Sequence, residues 1–80
     1  MKKTNQNLES NWQKVYVYTG DGITSTFTLK GITESSASKY RVTIDGISQT
    51  PNTSYTISVQ NSSITFTGIP PIGTEIVIIA

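Results

Sequence analysis

The chain contains no cysteine and no histidine. No disulfide can staple it, and zinc, iron–sulfur, haem-thiolate and histidine-base chemistry lose their usual side chains. Charge is scarce as well. Charged residues are 14% of the chain, and six Lys and Arg against five Asp and Glu leave a net charge of +1. A nucleic-acid binder normally carries a strongly basic face, so no nucleic-acid partner is expected. No apolar run approaches the ~18 residues of a transmembrane helix, so no membrane partner is expected either. The basic start, MKKTNQNLES, lacks the apolar stretch that follows in a secretion signal. Asn52-Thr53-Ser54 and Asn61-Ser62-Ser63 match the glycosylation sequon. Without a secretory route they read as turn residues. Leu and Ala number only two each, which leaves little to drive helix.

What is abundant is β-branched. Thirteen Thr, eleven Ile and five Val stand among 80 residues, and that skew favours strand. The length fits one small domain. Such a chain buries only ~60–65% of its unfolded surface when it folds alone, so stabilisation by an assembly is expected.

Residues 1–13 are polar apart from Leu8 and Trp12, with too few apolar groups to offset the cost of ordering. They read as an extended N-terminal docking arm, and 14–80 as the folded domain. From Lys14 onward, short alternating runs are separated by turn signals. The runs are 15–19, 24–29, 40–45, 55–59, 64–67 and 75–79. This spacing predicts an all-β, antiparallel β-sandwich of immunoglobulin-like type with six to seven strands. Asp45-Gly46 between Ile44 and Ile47 predicts a two-residue hairpin. Pro71 and Gly73 suit the second and fourth positions of a type I turn. Only 33–40 can form a helical turn, with Thr33 as its cap.

Alternation nominates the core: Tyr16, Tyr18, Phe27, Leu29, Val42, Ile44, Tyr55, Ile57, Val59, Ile64, Phe66, Ile76 and Ile78. Two runs, Val15-Tyr16-Val17-Tyr18 and Ile76-Val77-Ile78-Ile79, are apolar on both faces. One reading is simple β-propensity at a crowded edge. The favoured reading is that Val15, Val17, Val77 and Ile79 form a protein interface. Trp12 is a candidate sugar platform or, preferably, an anchor into a partner's pocket.

Motifs that could signal catalysis are weak. Ser36-Ala37-Ser38-Lys39 matches S-x-x-K, but ten Ser and five Lys make a chance match unremarkable. Gly20-Asp21-Gly22 lacks the rest of a phosphate loop. The acids Asp21, Glu34, Asp45 and Glu75 lack metal-loop spacing. No catalytic, cofactor-binding or metal residue is nominated, no cofactor is expected, and the protein is not expected to be an enzyme.

The order of the motifs carries a resemblance. Tyr18-Thr19-Gly20-Asp21-Gly22 and Thr26-Phe27-Thr28-Leu29 lead to Val42-Thr43-Ile44-Asp45-Gly46-Ile47-Ser48-Gln49. Pro51, Tyr55-Thr56-Ile57, Ile64-Thr65-Phe66, Pro70-Pro71, Gly73-Thr74 and Ile76-Val77-Ile78 follow. This pattern, over about residues 16–79, resembles a small β-sandwich module of tailed-bacteriophage tail fibres, baseplate-associated proteins and other virion appendages. The resemblance implies a virion structural protein with no catalytic residues. It implies a tail, neck or baseplate appendage or adaptor, docked to other virion proteins through the arm and localised to the virion. A capsid decoration protein and a stand-alone carbohydrate-binding module are the alternatives. The resemblance also implies a homo-oligomer, with a trimer expected before a dimer.

Overall fold

The computed structural model describes residues 14–80. These residues are all-β apart from one short 3-10 turn. The strands are β1 (Val15–Thr19), β2 (Thr26–Thr28), β3 (Arg41–Ile44), β4 (Ile47–Ser48), β5 (Tyr55–Ser58), β6 (Ser63–Phe66) and β7 (Glu75–Ile79). They form two antiparallel sheets, one of four strands in the order β1-β7-β3-β4 and one of three in the order β2-β6-β5. An immunoglobulin constant domain instead pairs its first strand with its second. Here β1 pairs with β7, so this strand order is a different one.

The period of two decides which side chains meet. Leu29, Val42, Tyr55, Ile64, Phe66, Ile76 and Ile78 are buried in one cluster drawn from both sheets. Phe27 links them. Its ring lies 5.1 Å from Tyr18 of the four-stranded sheet and 5.9 Å, edge-on, from Phe66 of its own sheet. Tyr16, Tyr18, Ile44, Ile57 and Val59, expected in the core, are only partly buried against it. Ile32 and Ala37, outside the expected core, are buried with Tyr40 in the long connection before β3.

The tyrosines use their hydroxyls as ties, which lets a half-polar side chain pack inward. Tyr16 donates to the Lys30 carbonyl at 2.5 Å and Tyr18 to the Thr28 carbonyl, joining β1 to the β2 segment. Tyr55 donates to the Ala37 carbonyl at 2.9 Å and Tyr40 to the Glu34 carbonyl at 2.6 Å. Burial pushes the Tyr16, Tyr40 and Tyr55 phenols up from their ordinary pKa.

Two turn expectations need correction. The helical turn is confined to Ala37–Lys39, and Ser36 stands at its cap position with no capping hydrogen bond from its side chain. Thr33 therefore caps nothing. The Glu34 carboxylate instead accepts the Ser36 N–H at 2.8 Å and holds the segment as a local turn. In the last turn, Thr74 N–H donates to the Pro71 carbonyl and Gly73 has φ of 85°. Gly73 is thus the third residue of the turn, where positive φ marks type II. The Asp45-Gly46 hairpin does form, with φ of 52° and 81°. Positive φ at both positions is the two-residue geometry that matches strand twist.

Candidate interaction surface

Register places the four candidate interface residues of the described chain together. Val15 pairs with Ile79 and Val17 with Val77 across β1 and β7. Their neighbours Ile76 and Ile78 point into the core with no exposure, so these four side chains share the opposite, outer face. Val15 and Val17 are 60% and 58% exposed. Val77 and Ile79 are half-buried, because β7 is flanked on both sides whereas β1 is an edge strand. Trp12, the fifth candidate, lies outside the described residues.

Polar residues frame this apolar centre. On β3, Arg41 pairs with Ile79 and Thr43 with Val77. Glu75 pairs with Thr19 at the other end of β7. Asp45 joins Glu75 there: its N–H donates to the Glu75 carbonyl and its carboxylate accepts the Glu75 N–H, both at 2.8 Å. The sequence reading missed Arg41 and Glu75. Their signal was positional, each being the residue of its strand in line with Ile79 or Val77. Beside Arg41 lies a shallow depression of about 320 Å³, lined by Ser38, Lys39, Tyr40, Arg41, Ile79 and Ala80.

A second apolar feature lies at the hairpin end. Ile23 and Ile72 are 79% and 80% exposed, and Ile47 and Ile69 are exposed too. The loops that carry Ile23 and Ile72 are laced together. Gly20 N–H donates to the Thr74 carbonyl at 2.8 Å, Gly73 N–H to the Gly20 carbonyl at 2.9 Å, and Gly22 N–H to the Pro70 carbonyl at 3.2 Å. Gly20 permits this approach, since a Cβ there would collide with the Pro71 carbonyl and the Thr74 hydroxyl.

The residues that hinted at chemistry are occupied structurally. Asp21 accepts the Ile23 and Thr24 amides at 2.8 and 2.6 Å and the Thr24 hydroxyl at 2.6 Å. The Thr24 hydroxyl, then the two amides, hold its carboxyl down at about 2, against an ordinary 3.8. A depressed carboxyl stabilises the fold above its unfolded pKa and loses that contribution as pH falls through the folded value. Asp21→Ala is therefore expected to melt below the parent at neutral pH. The gap should close as pH falls from about 4 to about 2. Thermal scans across that range check this, and a gap that stays constant down to about pH 2 would assign it to something other than the carboxylate. In the S-x-x-K segment, Ser36 Oγ lies 3.0 Å from Ser38 Oγ on the surface. Among the described residues no group of three or more Asp or Glu gathers as a metal site.

Neither family models nor curated proteins nor solved structures yield a match to this chain.

Proposed function

We propose that the protein is a structural component of a tailed-bacteriophage virion: a small tail, neck or baseplate appendage or adaptor that acts by docking. The observation that carries the reading is the contiguous outer-face patch of Val15, Val17, Val77 and Ile79, in register on adjacent strands. Such a patch on a small domain is normally covered. The ordered turn motifs that resemble virion appendage modules support the same reading. Gly20, Asp21, Gly22, Asp45, Gly46 and Gly73 serve turn geometry and loop lacing, as a rigid spacer requires. In this reading the two sheets pack as a β-sandwich, supported by the cluster that both sheets feed. The patch is covered by self-association, and residues 1–13 dock to a different virion protein with Trp12 as the anchor. The large exposed hydrophobics among the described residues are all Val or Ile. A carbohydrate-binding module needs an aromatic strip instead.

Deleting residues 1–13 tests the docking role. The shortened protein should keep the β circular dichroism of the parent and fail to enter particles. Normal occupancy of the shortened protein in purified virions would move docking to the sheets and refute the role given to the arm.

A further inference from the structure

The outer face is polar at its two ends in opposite senses. Across β1, β7 and β3 it forms three rungs: Val15-Ile79-Arg41, Val17-Val77-Thr43 and Thr19-Glu75, with Asp45 beside Glu75. The charges of the whole described domain follow the same axis. Lys14, Lys39 and Arg41 flank the first rung, where Ala80 N–H donates to the Lys14 carbonyl. Lys30 is drawn to that end by Tyr16, and Glu34 lies there too, beside Lys14 and Tyr40. Asp21, Asp45 and Glu75 occupy the opposite end. One end is thus net positive and the other net negative.

We infer that this face binds a second copy of the chain across a twofold axis lying along the middle rung, perpendicular to the strands. The inference rests on the self-association reading above and specifies its geometry. Each Val17-Val77-Thr43 rung then meets its own copy. Glu75 of the second copy lies over Ile79, one strand from Arg41 and beside the depression between Arg41, Lys39 and Ile79, and the exchange occurs twice. A twofold axis along the strands, between β1 and β7, would set Val15 against Ile79 and Val17 against Val77 and overlay more apolar surface. It would also bring positive end onto positive end and negative onto negative, which charge repulsion opposes. A trimer requires two different surfaces on each copy, whereas one self-complementary face suits an isologous dimer. Four strands ~4.8 Å apart and five residues at ~3.3 Å span on the order of 300 Å² per copy. The two faces together come to about 600 Å², a small interface of the weak, transient class. The dimer is therefore weak and concentration-dependent.

Charge reversal on the full chain tests the geometry, since Arg41 and Glu75 are both exposed. In sedimentation equilibrium, Arg41→Glu and Glu75→Lys should each weaken the parent dimer about tenfold or more. An equimolar mixture should associate almost as tightly as the parent, because both exchanges are again between opposite charges in the mixed dimer. Weak singles without rescue, or singles that match the parent, would overturn the antiparallel twofold. A parent trimer would overturn the twofold and leave the face as the interface. A parent that stays monomeric would overturn both this geometry and the self-association reading.

Discussion

Phe66→Ala is expected to cost roughly 3–5 kcal/mol, much of what a domain of this size holds in reserve. Phe66 is 3% exposed. Its ring meets Phe27 edge-on at 5.9 Å and Tyr55 at 6.3 Å. Removing it takes away the transfer free energy of a buried aromatic ring and leaves a cavity that its neighbours cannot close. Tyr55 is held by the bond from its hydroxyl to the Ala37 carbonyl. Phe27 is held by β2, whose outer residue Thr26 is tied to Thr65. For a small domain each kcal/mol shifts the melting temperature by about 4–8 °C. The variant should therefore melt more than about 12 °C below the parent, or be unfolded at room temperature. A melt within a degree or two of the parent, followed by circular dichroism, would place Phe66 outside the core.

Val77→Lys is expected to abolish self-association while leaving the monomer folded. Val77 lies at the centre of the outer patch, paired with Val17 on one side and Thr43 on the other. The four apolar side chains leave on the order of 250 Å² exposed on each copy. Covering that surface is worth roughly 6 kcal/mol per copy before the cost of association is subtracted. A lysine at the centre must either lose its hydration or hold the faces apart, and two copies would bring two like charges together. The fold should survive because Ile76 and Ile78, on the other side of β7, remain fully buried. The check pairs circular dichroism with sedimentation. A variant that keeps its β signal and still associates like the parent would remove Val77 from the interface.

Much of this surface was legible in the chain because strand periodicity is strict. β1 and β7 fall on the residues that alternation marks, 15–19 and 75–79. Two strands apolar on both faces could then be separated into an inner and an outer set. What alternation could not give was pairing. That β1 lies next to β7, and that Val17 therefore faces Val77, depends on contacts far apart in sequence. The β2 run was read too long, as 24–29, because Asp21 folds Ile23 and Thr24 into a local turn through its own carboxylate. Ile32 and Ala37 escaped notice because irregular backbone has no period, and Tyr40, which opens the run 40–45, is buried just before β3 begins. Tyrosine hydroxyls reaching the Glu34 and Ala37 carbonyls tie this connection to the core. The hairpin at Asp45-Gly46 was readable from two residues alone. Its second task, holding Glu75 at the rim of the outer face, was not.

The central claim is that the outer face of the four-stranded sheet is an interface between copies of this chain. A concentration series of the full chain in sedimentation equilibrium tests it most directly. The account predicts an average mass that rises above the 8.7 kDa of one chain as the protein passes through micromolar concentrations. A mass that stays at that of one chain up to high micromolar concentration would contradict it.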